Sequence, residues 1–133
     1  MTRGRTFADV VAGVGAAIAT YTQAMDDGRT DDLVATFCPD GSTEMPRLGR
    51  HVGHESLRQA YEQWKPRQPQ RHLVFNTVVT EWDDAEVHAT SDMVFLLKGD
   101  DGWNVAVVGR YHDVLHADGE EWRFHSRVAE FAG

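Results

Sequence analysis

The sequence predicts an α+β fold in which three helices come first and a curved antiparallel sheet follows. Three observations predict it. Up to about residue 66 the apolar residues recur at spacings of three and four, which is the period of a helix. From Arg71 onward they alternate, which is the period of a strand. The segments of that second half are divided by Asp83-Asp84, Gly99-Asp100-Asp101-Gly102 and Ala117-Asp118-Gly119-Glu120, short turn-formers that make neighbouring strands antiparallel. Helices followed by strands place the helices on one face of the sheet, with space for an apolar ligand between the two layers.

Thr6-Phe7-Ala8-Asp9 reads as a capping box with Asp in place of Glu, and the helix it opens carries Val11, Val14, Ile18, Tyr21 and Met25 on one face. Gly28 stops that helix. Thr30-Asp31-Asp32 restarts a short one that buries Leu33 and Phe37, and Pro39-Asp40-Gly41 ends it in a turn. Residues 42–52 form a short strand or hairpin. Gly53-His54-Glu55 begins a third helix with Leu57, Ala60, Tyr61 and Trp64 inside, and Pro66 stops it. Four long strands cover 71–82, 85–98, 103–117 and 121–131, and no repeat or linker divides the chain, so residues 1–133 read as one domain.

Bulk properties narrow the function. The chain has 133 residues, 41% of them hydrophobic and 26% charged, the balance of an ordinary globular domain. A formal charge of −8 argues against a nucleic-acid or anionic-membrane partner, because phosphate binding needs a basic face. The one cysteine, Cys38, excludes an internal disulfide and fits a cytoplasmic setting. Arg3 and Arg5 ahead of Val10 to Ala19 mimic a secretory signal, but the apolar segment is diluted by Ala and Gly and continues a helical stripe. No run approaches the length that spans a bilayer.

Titratable side chains inside apolar strands point to a lined pocket, since burying them without partners is costly. His72 is the first candidate for acid–base work, because histidine alone has an unperturbed pKa near neutrality and a strand fixes its direction. Asp26 lies about 80° from Ile18 around the first helix and borders its apolar stripe. There it can orient His72 as the second member of a dyad. Tyr21 falls on the stripe itself, where its hydroxyl needs a partner such as a substrate oxygen. Asn76 shares the strand parity of His72, and Asp92 and Arg127 sit within later strands as substrate-binding candidates, as does Arg110. Arg110 and His112 alternate with Tyr111 and Asp113, so only one of those pairs faces inward. His51 and His54, with Cys38 or Glu55 nearby, do not have a recognised metal-ligand spacing, and no metal site is assigned. A nucleotide-binding glycine loop and a serine nucleophile elbow are both absent from the sequence.

Several features occur together in one order. They are Tyr21 with Asp26; Phe37-Cys38-Pro39-Asp40-Gly41; Gly49 and Gly53 before the third helix; Arg71-His72 with Asn76; Gly109-Arg110-Tyr111-His112-Asp113; and Trp122-Arg123-Phe124 with Arg127. In these the chain resembles the SnoaL-like branch of the nuclear transport factor 2-like superfamily, whose members are cone-shaped α+β domains with an internal pocket. The family includes scytalone and bile-acid dehydratases, polyketide cyclases, ketosteroid isomerase, epoxide hydrolases, dioxygenase β subunits and members without known activity, so the fold supplies a set of functions. His72 matches the strand histidine of the dehydratases and Tyr21 their helix tyrosine. Asp92 matches the acidic group of the bile-acid dehydratases, while His88 can stand for a second histidine. Arg110 with Asp92 and Asp26 can imitate the Asp-Arg-Asp relay of the epoxide hydrolases.

The resemblance implies a lyase or isomerase without cofactor or metal. It would remove a proton next to a carbonyl in a hydrophobic cyclic substrate of polyketide, phenol or steroid type. A non-catalytic small-molecule-binding or assembly module of the same fold is the competing expectation. The resemblance also implies a homodimer through the outer sheet face, where alternate residues such as Leu73, Phe75, Val105 or Val107 lie.

Overall fold

The computed structural model describes residues 4–133. Helix α1, Phe7–Asp26, opens with the capping box its sequence announces. The Asp9 amide donates to Thr6 Oγ1 at 3.1 Å and the Thr6 amide donates to Asp9 Oδ2 at 2.9 Å. Val10, Val14, Ala17, Ile18, Tyr21 and Ala24 form its buried stripe, while Val11 stays exposed. Of the basic pair in the signal-like segment, Arg3 lies outside the described residues. Arg5 is tied down by Asp84, its amide donating to Oδ1 at 3.1 Å. Among the described residues no helix is long and apolar enough to cross a membrane.

After Gly28, which takes the left-handed φ of 70° that ends α1, helix α2 spans Thr30–Val34. The short helix was expected to run on to Phe37 and to stop in a turn at Pro39-Asp40-Gly41. It stops three residues earlier, and strand β1, Phe37–Met45, begins at Phe37. Phe37 is fully buried against Tyr21 and Phe124, and it pairs with Phe124 across a parallel β1–β6 ladder. Long-range pairing overrides the local turn signal. Pro39 and Gly41 survive inside the strand because the register shifts between Phe37 and Ser42. A Cβ on Gly41 would lie 2.7 Å from the carbonyl oxygen of Phe124.

Strand β2, Gly49–Val52, pairs antiparallel with β1, completing the hairpin expected over 42–52. Helix α3, His54–Gln63, follows and buries Leu57, Ala60 and Tyr61. Then come β3 (Gln70–Trp82), β4 (Glu86–Gly99), β5 (Gly102–Asp118) and β6 (Glu121–Phe131). The sheet is six-stranded, in the order β2-β1-β6-β5-β4-β3, curved and unclosed, with the helices on its concave face. It is an α+β cone as expected, and its six strands are the four long ones plus two that form a hairpin where a short strand or hairpin was read. Val87, Ala89, Leu115, Trp122 and Phe124 meet the α1 stripe in the main core.

Bulges set which residues face in. Along β3, His72 is buried and Val74 half-buried, but Asn76 has a φ of 54° and the register with β4 shifts between Phe75 and Val78. Along β5, Ala106 is the extra residue between Phe95↔Val107 and Leu96↔Val105. Val107 therefore packs inward, against the cluster of Met45, Met93, Tyr111 and Ala129. That corrects its placement on the outer face, where Leu73, Phe75 and Val105 do lie exposed.

Two glycines of α1 differ in what surrounds them. A Cβ on Gly13 would sit 2.4 Å from the buried Trp122 ring, whereas Gly15 has open space. Gly15→Ala is expected to raise stability by about 0.5–1 kcal/mol through helix propensity alone. Gly13→Ala is expected to lower it by about 1–3 kcal/mol despite the same propensity gain, because the ring must move. Urea denaturation of the two variants beside the parent checks both signs.

Candidate active site

The last residue of α1 and the third residue of β3 meet. His72 Nδ1 and Asp26 Oδ1 are 2.7 Å apart, the His72 backbone amide donates to Asp26 Oδ2 at 2.7 Å, and Gln70 Nε2 donates to Oδ1 at 3.1 Å. The side chains of His72 and Asp26 are only 6% and 4% exposed. An ionised carboxylate accepts only, so Nδ1 carries a proton in this pair, and in the neutral ring Nε2 then keeps the lone pair. The ring is fixed from its other side by Phe95, stacked at 4.3 Å between centroids. Among the described residues Nε2 has no hydrogen-bond partner.

An open groove of about 690 Å³ runs between α1 and the edge strand β3 beside this pair. Ile18, Thr22 and Asp26 border it on the helix, and His72, Val74 and Thr77 on the strand. Thr22 lies one turn before Asp26, and its buried hydroxyl has no hydrogen-bond partner among the described residues. Neither Gln70 nor Thr22 was singled out from sequence. Gln70 shares the parity of His72 and so was findable, whereas a helical threonine carries no such signal.

The space next to Tyr21 is filled. Its hydroxyl lies 2.7 Å from that of Tyr61, which donates in turn to Thr43 Oγ1 at 3.0 Å. Burial raises the pKa of both tyrosines, so they stay protonated. Tyr21 is thus not a wall of the α1–β3 groove, and the expected apolar hollow between the layers does not extend to it. Arg127 plugs that region. Its guanidinium carbon lies 3.6 Å from the Tyr111 ring centroid, 4.3 Å from that of Tyr21 and 4.8 Å from that of Phe124. The residue expected to bind substrate is fully buried.

Its counter-ion is Asp113, with Nε and Oδ1 3.2 Å apart, although the contact lacks hydrogen-bond geometry. Burial works to discharge Arg127, but Asp113 and the surrounding tyrosines outweigh it and its pKa is raised. The Asp113 carboxyl is pushed up to about 6, because burial outweighs the attraction of Arg127. Tyr111 and Asp113 are therefore the inward pair of β5, and Arg110 and His112 the outward one.

Asn76, Asp92 and Arg110 converge, but on the convex face. Asn76 Nδ2 donates to Asp92 Oδ2 at 2.9 Å and Arg110 Nε donates to Oδ1 at 2.8 Å, which holds the Asp92 carboxyl below its usual range. The bulge at Asn76 cancels the parity it shares with His72. These three do not line the groove beside His72, and an Asp-Arg-Asp relay with Asp26 is not assembled, since the sheet stands between. His88 is on the convex face too, 3.1 Å from Glu86. His51 and His54 each bond a backbone carbonyl, of Leu48 at 3.0 Å and Phe37 at 2.9 Å.

Residues 8–128 match the SnoaL-like domain family, and the chain belongs to it. No curated protein sequence matches it. Among solved structures it is similar to a protein from Catenulispora acidiphila in complex with S-DNPA. That pair shares 26% identity at a TM-score of 0.83, over 93% of this chain and 94% of the other. It is also similar to ActVI-ORFA from Streptomyces coelicolor, at 22% identity and a TM-score of 0.81, over 92% and 96% of the two chains. A scytalone dehydratase-like protein from Novosphingobium aromaticivorans shares 14% identity at a TM-score of 0.81, over 92% and 84%.

The Asp113 shift has a consequence for stability. Its folded pKa of about 6 exceeds the ordinary carboxylate value of 3.8, so the folded state holds this proton more tightly than the unfolded chain. That contribution is complete below pH 4 and is lost as pH rises through 6, by up to about 3 kcal/mol. Relative to Asp113→Asn, which cannot titrate, the parent is expected to lose roughly that much unfolding free energy between pH 4 and pH 7. Paired denaturation curves at stepped pH measure it.

Proposed function

We propose, from the premise that this chain belongs to the SnoaL-like domain family, that it is a cofactor-independent lyase or isomerase. In this reading it removes a proton next to a carbonyl in a hydrophobic cyclic molecule. The observation that carries the reading is the Asp26–His72 pair. A buried carboxylate fixes the Nδ1–H tautomer, which leaves Nε2 as the base and stabilises the imidazolium once the proton has moved. In a dehydration Nε2 takes the proton and returns it to the departing hydroxyl. In an isomerisation or cyclisation the same enolate goes elsewhere.

The enolate oxygen needs a donor. Tyr21 can serve only by giving up Tyr61, to which its hydroxyl is bonded. Thr22 borders the groove on the same helix face as Asp26, and in this proposal its buried, unpartnered hydroxyl turns toward the groove to share the role. The groove beside His72 is the substrate site, and the ligand held by the Catenulispora relative supports a small-molecule site in this fold. An epoxide hydrolase-like reaction loses support, because Arg110 and Asp92 lie across the sheet from Asp26.

The test screens phenolic, steroidal and polyketide-like ketones by thermal shift and then follows deuterium uptake at the carbon next to the carbonyl in heavy water. The parent is expected to exchange that proton with a hit. His72→Ala is expected to cut the rate about 10²- to 10⁴-fold while still binding. Binding hits that never exchange in the parent would leave the non-catalytic binding module as the function.

The same proposal places a second copy of the chain against the convex face of β3–β5, where Leu73, Phe75, Val78, Val105 and Val108 are exposed together. Phe75→Asp combined with Val105→Asp is expected to halve the mass found by equilibrium sedimentation.

A further inference from the structure

The convex face carries a second cluster of chemically able side chains that the groove chemistry does not use. Cys38 on β1, His125 on β6 and His116 on β5 come from neighbouring strands, and one ligand atom from each lies within 4.8 Å of the other two. Cys38 is buried, and its sulfur has only a weak contact, 3.7 Å from the carbonyl oxygen of Arg123. His116 and His125 stack with centroids 4.3 Å apart. His125 Nδ1 is sealed from water without a hydrogen-bond partner among the described residues, and Asp40 Oδ1 is 3.9 Å away. A buried nitrogen left in that state destabilises the fold.

We propose that Cys38, His116 and His125 form a site for a divalent transition metal, zinc by its chemistry, on the opposite face of the sheet from His72. One thiolate and two imidazoles are a zinc donor set, and three protein ligands leave the fourth tetrahedral position to water. The hydrogen bonds that would orient the ligands are already in place. His116 Nε2 spends its proton on Glu86 Oε1 at 2.9 Å, which leaves Nδ1 as the ligand atom and fixes the tautomer, as carboxylate partners of metal-bound histidines do. His88 bonds the other oxygen of the same carboxylate at 3.1 Å.

Zinc takes sulfur at about 2.3 Å and nitrogen at about 2.0–2.1 Å, so the three donors must close in by roughly 1 Å on binding. The two rings must also turn out of their stack, so that both lone pairs aim at one point. Both are partly exposed, at 38% and 39%, which leaves room for that turn. The ion would satisfy the orphaned His125 nitrogen, and the net charge of −8 favours a cation.

The experiment uses the tag-free full chain. Zinc is titrated in competition with a chromophoric chelator, and cobalt(II) serves as the spectroscopic probe. One equivalent of cobalt should bind with a thiolate-to-metal charge-transfer band in the near ultraviolet. Cys38→Ser should abolish that band, and His125→Ala should weaken zinc binding at least about tenfold, each with an unchanged far-ultraviolet circular dichroism spectrum. Glu86→Gln, a surface change, should weaken zinc binding about 10- to 100-fold. His51→Ala should leave it alone. Absence of binding, a cobalt spectrum without the thiolate band, or affinities indifferent to both Cys38→Ser and Glu86→Gln would overturn the assignment.

Discussion

One carboxylate joins the two layers of this molecule where its chemistry is proposed. Asp26 closes α1, the end of a helix where the dipole repels an anion, and it is nearly sealed from water. It is tolerable there because β3 supplies three donors, the backbone amide and Nδ1 of His72 and the side-chain amide of Gln70. Hydrogen bonds to a charged group are worth about 1.5–3 kcal/mol each, and removing one strands part of a buried charge. The helix end is thereby fixed to the free edge of the sheet. The same contact chooses the histidine tautomer, so the local fold and the base come from one interaction.

A second buried charge decides where the open space lies. Arg127 and Asp113 face each other across β6 and β5 in the concavity, with Tyr21, Tyr111 and Phe124 around the guanidinium. Such a pair is costly to desolvate and costlier to break, because the surviving partner would be left as a lone buried charge. The side chains that surround it fill the middle of the cone. What remains open is the flank beside β3, the one long strand without a neighbour on its outer side. The groove is accordingly of mixed polarity, with Thr22 and His72 alternating with Ile18 and Val74.

The features written in local sequence were legible. The Thr6–Asp9 capping box, the stop at Gly28, the hairpin over 42–52 and four long strands within a few residues of their ends all follow from spacing and turn chemistry. The Asp26–His72 contact was legible in part: the helical angle of Asp26 put its carboxylate at the border of the apolar stripe, while the inward direction of His72 came from the family resemblance and not from strand parity. What failed was parity carried past a bulge. Asn76, placed inside by counting from His72, turns outward, and Val107, counted as outward, turns in after Ala106. A bulge adds one residue without changing composition, so an alternation count does not register it. The start of β1 was hidden for another reason: its partner, β6, lies some 85 positions away.

These bulges also let one strand serve two faces. On β6 the register shift around His125 and Ser126 leaves Phe124 and Arg127 both pointing into the core, and it frees His125 to meet His116 and Cys38 outside. On β3 the shift after Phe75 keeps His72 inside while Asn76 joins Asp92 outside. The groove, on α1 and β3, and the convex cluster, on β1, β5 and β6, share neither a strand nor a side chain nor a hydrogen-bond partner. Changes in groups without common partners add in free energy. The proposed base and the proposed metal ligands can thus vary independently, so long as the buried Asp113–Arg127 pair keeps the strands between them in register.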